Sequence, residues 1–241
     1  MRYGIFSDIH GNLQALEVIV RALKKEHIDR YLCVGDIIGY GANPQECIKA
    51  VVNLKAACVA GNHDWAILSK VDIQYFNPMA AEAVYWTREN TTKENKDFLE
   101  NLELVYKDEQ LMAVHGTLSE PEYFDYLMDR RLARETFTLM DRAICFVGHS
   151  HIPGIFVQKQ ELIAYASVVD ITLEEGCRYI VNTGSVGQPR DGSPMAAYCV
   201  FDSVKKNVCV KRVNYDIEEA QRRILLAGLP PYLASRLSFG R

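Results

Sequence analysis

The chain has 241 residues, of which 49% are hydrophobic and 24% charged, and its formal net charge is −4. This composition is typical of a globular protein and excludes a disordered chain, and no apolar run approaches the ~20 residues that a membrane-spanning helix needs. Residues 205–241 carry eight basic and three acidic side chains, so residues 1–204 are acidic. An acidic body disfavours nonspecific binding to duplex nucleic acid, which depends on many phosphate contacts.

The length and the cysteines predict a single intracellular domain. A chain of this size fits one or two domains, and we predict one over residues 1–241. The seven cysteines are odd in number and never form a C-x-x-C pair, which is typical of free thiols and not of a disulfide framework. The sequence begins on a strand pattern without the charged and apolar regions of a signal peptide. We therefore expect a cytoplasmic protein.

The first sixty residues alternate between strands and helices. Strands are predicted over residues 2–7, 31–35 and 55–60, with helices between them. Asn12 is the predicted N-cap of the first helix. The second helix is expected to start with Asn43 as the cap, Pro44 at the first helical position and Glu46 in a capping-box-like pattern. This order implies parallel strands joined by right-handed crossovers.

Two insertions follow. The first, about residues 65–102, is helical, with starts at Asn77-Pro78 and at Thr91-x-x-Glu94. It contains many aromatic side chains, from Trp65 to Trp86, for which packing is the favoured interpretation. The alternative is a partial lid whose rings meet a flat substrate group. The second insertion, about residues 119–140, is acidic and aromatic first and then helical.

The rest of the chain is predicted to be mainly β. A hairpin over residues 104–115 precedes the second insertion, and a strand over residues 143–147 follows it. Short strands with tight turns follow residue 153 and predict a largely antiparallel second sheet. These strands are at residues 155–158, 161–166, 169–173, 178–182, 196–202 and 208–215. A terminal helix over residues 217–226 leads to a basic tail, which we expect to be solvated surface.

Polar side chains stand just after five of the apolar strands. In chain order they are Asp8 and His10; Asp36; Asn62, His63 and Asp64; His115; and His149 and His151. Five of the six histidines are in this set, which scattered surface histidines would not be. Because α/β folds place their chemistry at the carboxyl ends of strands, the pattern indicates a metal site there.

These blocks, Asp8-x-His10, Gly35-Asp36, Gly61-Asn62-His63-Asp64, His115 and Gly148-His149-x-His151, resemble those of the calcineurin-like metallophosphoesterases. Order and approximate spacing both match, and the resemblance runs from residue 3 to about residue 192. A single Asp-x-His is a weak signal, but all five blocks in order are a strong one. The resemblance implies an α/β fold of four layers, α/β/β/α, in which helices flank two mixed sheets.

The resemblance also implies two divalent metal ions bridged by Asp36. One ion would be held by Asp8, His10, Asp36 and His151, and the other by Asp36, Asn62, His115 and His149. Imidazole and carboxylate ligands favour manganese, iron, zinc, nickel or cobalt over calcium or magnesium, and manganese is the ion that we expect first. His63 has no metal in this assignment and is free to donate a proton to the leaving oxygen or to stabilise charge on the transferring phosphoryl group, with Asp64 as its orienting partner.

The glycine-rich loop of residues 182–192 is the predicted substrate side of the site. Its Arg190 is expected to bind phosphate, and Gly184 and Tyr40 are assigned to substrate binding beside it. Turn chemistry alone is the alternative explanation of the glycines. After Asp36 the chain lacks the Asp-Arg-Gly element of two family branches, which puts protein phosphatase activity in doubt.

The predicted function is hydrolysis of small phosphoesters by attack of a metal-bridging hydroxide. A nuclease is disfavoured by the acidic body. A serine/threonine-type protein phosphatase is a further alternative, and a non-catalytic binding scaffold is disfavoured because no ligand is missing. The aromatic insertion favours nucleotide substrates, such as dinucleoside polyphosphates or cyclic nucleotides, since bases stack on aromatic rings. The sequence predicts no membrane partner and leaves the oligomeric state open.

Overall fold

The structure, a computed structural model, describes residues 1–167 and 170–241. Two six-stranded sheets form its centre. The strands are β1 Arg2–Phe6, β2 Arg30–Cys33, β3 Ala57–Cys58, β4 Val105–Lys107, β5 Met112–Val114, β6 Ile144–Val147, β7 Gly154–Lys159, β8 Leu162–Ala166, β9 Asp170–Thr172, β10 Cys177–Asn182, β11 Ala196–Asp202 and β12 Asn207–Val213. The α-helices are α1 Leu13–Lys25, α2 Pro44–Asn53, α3 Asn62–Ile67, α4 Pro78–Glu89, α5 Lys93–Glu100, α6 Arg130–Leu139, α7 Ile217–Leu226 and α8 Pro231–Ser235.

The first sheet contains the predicted parallel βαβ units. Its strand order is β3-β2-β1-β11-β12-β9, and β1 to β3 are parallel, as expected from the strand–helix alternation. On its other side β1 pairs antiparallel with β11, which places a strand from the C-terminal region in the middle of the sheet.

The second sheet corrects the prediction for the strands after residue 153. Its order is β4-β5-β6-β10-β7-β8, and it takes only three of those strands, whereas β9, β11 and β12 join the first sheet. It is mixed, because β6 pairs in parallel with both β5 and β10, but its other three pairings are antiparallel, as predicted. The predicted strand at 169–173 is β9, Asp170–Thr172, and Val169 lies outside the described residues.

Apolar side chains divide the molecule into the four predicted layers. Between the sheets, Ile5 and Val34 from the first meet Phe146 and Val181 from the second. Helices α1 and α2 cover the outer face of the first sheet, and α6 covers that of the second through Phe137. The predicted α/β/β/α sandwich is therefore confirmed, while the single-domain assignment stays a prediction.

Two predicted helix starts are confirmed by their hydrogen bonds. The Asn12 side chain accepts from the Ala15 N–H at 3.1 Å, and the Asn77 side chain accepts from the Ala80 N–H at 3.0 Å. Each bond satisfies one of the backbone donors that a helix leaves free at its first turn.

Two other starts differ from the prediction. Helix α2 begins with Pro44 after Asn43 as predicted, but the Asn43 amide donates to the Glu46 carboxylate at 3.3 Å and caps no backbone group. The cap of α5 is Thr92, one residue later than predicted. The Thr91 hydroxyl instead donates to the carbonyl of Thr87 at 2.6 Å, at the end of the preceding helix.

Both insertions are helical where the sequence predicted it, with α4 and α5 in the first and α6 in the second. All seven cysteines are free, and five of them are buried. Within the described residues, no helix combines the length and apolar character needed to cross a bilayer.

Candidate metal centre

The predicted ligands converge at one edge of the two sheets. Three groups have ligand atoms within 4.8 Å of one another, and every member is buried. The groups are Asp8, His10 and His151; His10, Asp36 and His63; and Asp36, His115 and His149. Asp36 and His10 each belong to two of the three groups, so these two residues link the set.

The two oxygens of Asp36 have different partners. Oδ1 accepts from the His63 backbone N–H at 2.9 Å. Oδ2 lies 3.5 Å from His10 Nε2 and 3.2 Å from His115 Nε2. One oxygen is therefore held by the backbone while the other faces imidazoles from both of the predicted metal sites.

In the first predicted site, two imidazoles lie beside the Asp8 carboxylate. His10 Nε2 and His151 Nε2 are 3.0 Å apart, and Asp8 Oδ1 is 3.3 Å from the latter. His151 donates its Nδ1 hydrogen to the carbonyl of Gln188 at 2.5 Å, which fixes its Nε2 as the nitrogen with a lone pair. The Asp8 carboxylate is held in turn by the His149 backbone N–H, at 3.2 Å from each oxygen.

The second predicted site has buried atoms that lack hydrogen-bond partners. His115 donates Nδ1–H to the carbonyl of Val34 at 2.7 Å, while its Nε2 has no hydrogen-bond partner in the described part of the chain. The side-chain oxygen of Asn62 is also buried and unpartnered there. A buried polar atom without a partner is costly, and a metal ion would satisfy both atoms. The donor set thus fits divalent transition metals.

Burial gives three of the four predicted histidine ligands the neutral state that metal binding needs. It lowers the pKa of His10, His149 and His151 well below the usual range, which keeps these imidazoles neutral. Burial opposes the charge on Asp36 as well, but the neighbouring His115 and His63 hold its pKa well below normal. For His115, burial is outweighed by the Asp36 charge, which raises its pKa to about 9, so a metal ion bound at this imidazole would displace a proton.

The same centre has an unusual backbone. Five of the seven predicted ligands have a positive φ: Asp8 (54°), His10 (49°), Asp36 (53°), His149 (66°) and His151 (61°). Close packing explains the glycine before Asn62, because a Cβ on Gly61 would lie 2.1 Å from Asp36 Oδ1 and 2.4 Å from the Asp36 nitrogen.

His63 and Asp64, the predicted catalytic pair, have separate surroundings. His63 lies beside the ligands, with its ring centroid 4.8 Å from that of His10, and burial lowers its pKa to about 4. Asp64 accepts backbone N–H bonds from Ile37 at 3.0 Å and Gly61 at 3.0 Å, and none from His63 among the described hydrogen bonds. Asp64 therefore joins the Asp36 and Asn62 loops, and its predicted orienting role receives no support.

The predicted substrate residues are only partly brought together. Arg190 lines a cleft of about 690 Å³ over the centre, and its guanidinium lies 5.8 Å from the ring of Tyr40, which lines the same cleft. Gly184 is not among the described residues of that cleft. Its N–H donates to Asn182 at 2.9 Å, and a Cβ there would lie 2.7 Å from Pro153, so packing accounts for this glycine.

The aromatic side chains of the first insertion divide between two roles. Trp65, Tyr75 and Phe76 line the cleft. Trp86 instead packs against the cluster that contains the C-terminal helices, so the packing interpretation applies to it.

The second insertion also forms part of the cleft, which the sequence did not predict. Its contribution is Glu122, Tyr123, Phe124, Asp125 and Tyr126. The acidic and aromatic composition of this stretch was the available signal, but it has no periodicity that would place it.

Comparison with known proteins identifies the family. The calcineurin-like phosphoesterase superfamily domain matches residues 1–206. An uncharacterized protein of Methanocaldococcus jannaschii is 39% identical over 241 residues, covering 98% of this chain and 97% of that protein. The crystal structure of a metallophosphoesterase from Sphaerobacter thermophilus is 37% identical with a TM-score of 0.90, covering 100% of this chain and 99% of the other. A hypothetical protein of Pyrococcus horikoshii shares the fold at 21% identity and a TM-score of 0.80, covering 100% and 98%. The chain belongs to the calcineurin-like phosphoesterase superfamily.

Proposed function

We propose that this protein is a dinuclear metal-dependent phosphoesterase that hydrolyses small phosphoesters. The observation that carries the proposal is that the two oxygens of the Asp36 carboxylate have different partners. Oδ1 accepts a hydrogen bond from the backbone, while Oδ2 faces His10 at 3.5 Å and His115 at 3.2 Å. A carboxylate held in this way can be shared by two cations. Two metals ~3.5–4 Å apart are a recurrent arrangement for displacement at phosphorus.

The residues that would hold the ions are those of the two predicted sites. One set is Asp8, His10, Asp36 and His151, and the other is Asp36, Asn62, His115 and His149. When bound, the ions would activate water and neutralise negative charge on the phosphoryl group. Manganese is our first candidate, ahead of iron, zinc, nickel or cobalt.

Two side chains of the cleft have proposed roles toward the ester. Arg190 faces the cleft beside Tyr40, and a guanidinium binds phosphate oxygens in a bidentate manner. His63 is neutral at pH 7, since burial lowers its pKa to about 4, and a bound anionic ester would raise that pKa. In its neutral form His63 can donate a ring N–H hydrogen bond to the leaving oxygen or to the phosphoryl group, and it can transfer a proton only if the bound ester raises its pKa enough to protonate the ring.

The proposed substrates include nucleotides. Trp65, Tyr75 and Phe76 line the cleft, and stacking of a base on an aromatic ring contributes ~1–3 kcal/mol. The free cysteines support a reducing compartment and hence a cytoplasmic location.

Replacement of the bridging residue tests the dinuclear site. Wild-type protein, stripped by chelator and reloaded with Mn²⁺, should hold about two equivalents of metal and hydrolyse bis(p-nitrophenyl) phosphate. Asp36→Asn should lower metal content and turnover together, because an uncharged amide would replace the carboxylate that the two ions are proposed to share. Asp141→Asn, which changes an exposed carboxylate paired with Lys107, is the matched control and should behave as wild type. Saturation of the wild type at one equivalent or none would contradict the proposal.

A further inference from the structure

The cleft has an inner and an outer part. The inner part is the metal centre with Arg190, and the outer part includes residues 122–126, here called the outer segment. Phe124 anchors this segment: it is buried, its ring lies edge-on to Trp65 at 5.4 Å, and its φ of 54° turns the chain. The neighbours of Phe124 in the segment are consequently presented to the cleft.

The outer segment places aromatic rings beside the metal centre. Tyr126 stacks on the ring of the predicted ligand His149, with centroids 3.8 Å apart and planes 21° from parallel. It is nevertheless 48% exposed, and Tyr123 is 68% exposed. Across the cleft, Tyr75 of the first insertion is 84% exposed. These rings offer faces to whatever part of a substrate projects outward.

The outer segment also carries two uncompensated negative charges. Glu122 and Asp125 are exposed in the cleft, and neither side chain has a hydrogen bond or an ion pair within residues 1–167 and 170–241. Among the described residues of the outer cleft, the other two charged side chains, Lys70 and Asp72, are opposite in sign and add no net charge. Asp72 accepts from the Gln74 N–H at 2.9 Å, and Lys70 lies 3.6 Å from the carboxylate of Glu100.

The two ends of the cleft therefore differ in charge. With the two metal ions of the proposed function bound, the ions and Arg190 together would outweigh the charges of Asp8 and Asp36 and make the inner end positive, whereas Glu122 and Asp125 make the outer end negative. When one phosphate of a substrate is bound at the metal centre, a second anionic group on the same substrate would lie toward the outer end and be repelled there. A cationic group would be attracted both by the carboxylates and by the faces of the aromatic rings.

We propose that the outer segment selects substrates by charge, so that the protein acts on esters with a single phosphate whose non-reacting alcohol is uncharged or cationic, and discriminates against polyanions. This inference rests on the proposed phosphoesterase function and narrows it. Nucleoside phosphodiesters remain within the class, while dinucleoside polyphosphates fall outside it.

A series of diesters with one leaving group tests the inference. Each is a p-nitrophenyl phosphodiester, so hydrolysis breaks the same P–O bond, takes its oxygen from water and releases p-nitrophenolate. The second alcohol is choline (cationic), 3,3-dimethylbutanol (its neutral isostere) or 4-hydroxybutyrate (anionic). With Mn²⁺-loaded protein at low salt, kcat/KM should fall in that order, about three- to tenfold from the first to the last, the size expected for exposed charges.

Removal of the charges should abolish the order. In the double variant Glu122→Gln/Asp125→Asn the three diesters should approach equal kcat/KM, and 1 M salt should have the same effect on the wild type. Glu135→Gln, which removes an exposed carboxylate of α6 paired with Arg131 at 2.9 Å, is the matched control and should keep the order.

The outcomes separate the inference from the proposed function. Hydrolysis of all three diesters at equal rates, or an order that survives in the double variant, would overturn charge selection and leave the phosphoesterase proposal intact. Hydrolysis of none would refute the phosphoesterase proposal. In that case calorimetric binding of phosphocholine against 3,3-dimethylbutyl phosphate decides the inference, with tighter binding of phosphocholine expected and equal binding contradicting it.

Discussion

Gly61→Ala is the sharpest test of how the bridging carboxylate is held. A methyl group at this position would lie 2.1 Å from Asp36 Oδ1, whereas carbon and oxygen in ordinary contact are roughly 3.5 Å apart. Asp36 must therefore move by about 1 Å or more. Metal ligands tolerate only ~0.2 Å, so we expect Mn²⁺ affinity to fall at least ~10²-fold. Crowding between the loop that contains Asp36 and the loop that contains Gly61 should also lower the free energy of unfolding by ~1–3 kcal/mol.

The assay is calorimetric Mn²⁺ titration of chelated protein together with chemical denaturation. Gly176→Ala is the control: its φ is +77° and nothing lies within 4 Å of the added methyl, so only backbone strain of ~1–2 kcal/mol is introduced. That variant should lose stability and keep its metal affinity. If Gly61→Ala binds Mn²⁺ as tightly as wild type, the position of Asp36 does not determine metal binding and the argument is wrong.

Three further predictions concern the cleft and the core. His63→Ala should keep both metals and slow turnover by ~10²–10⁴, with a smaller effect on p-nitrophenyl esters, whose leaving group needs no acid; loss of metal would make His63 a ligand. Trp65→Ala should narrow a preference for nucleotides over sugar phosphates in kcat/KM, whereas Trp86→Ala should lower the melting temperature and leave that preference unchanged. A thiol reagent should label only the half-buried Cys58 and Cys209 quickly in the native protein, and all seven cysteines after denaturation. Fast labelling of any other cysteine in the native protein would contradict the burial of the core thiols.

The arrangement of the candidate centre could be predicted from the sequence because each block follows a strand. Asp8, Asp36 and Asn62 follow β1, β2 and β3 by two to four residues, and these strands are parallel neighbours. Parallel strands bring their carboxyl ends to one edge, so residues far apart in the chain meet there. Which residues hold metal remains a prediction, although the distances around Asp36 agree with it.

The distribution of the later strands could not be predicted in this way. Strands β10 and β11 both read as buried apolar runs, yet β10 joins β6 in the second sheet and β11 joins β1 in the first. The choice depends on side chains that meet only in the folded protein, such as Tyr3 and Phe201, which stack at 5.7 Å. A local pattern specifies that a strand forms and not which strand it pairs with.

The outer segment was missed for a related reason. Its position depends on Phe124 packing against Trp65 and His115, three residues from three separate parts of the chain. No periodicity marks such a stretch, and its exposed carboxylates read in the sequence as ordinary surface.

The left-handed backbone at the centre connects the fold to the proposed chemistry. Each non-glycine residue in this conformation costs roughly 1–2 kcal/mol, and five predicted ligands adopt it. Aspartate and histidine tolerate it better than most residues, which helps to explain how ligands can occupy these positions. Hydrogen bonds between the loops hold the strained residues: Asp8 N–H donates to the carbonyl of Gly35 and His10 N–H to that of Asp36, both at 3.0 Å. Strain of this kind persists only where the surrounding structure fixes it. The sandwich core therefore stabilises an arrangement that the loops alone would not adopt, and bound cations would add to that stabilisation because they satisfy the unpartnered His115 nitrogen and Asn62 oxygen.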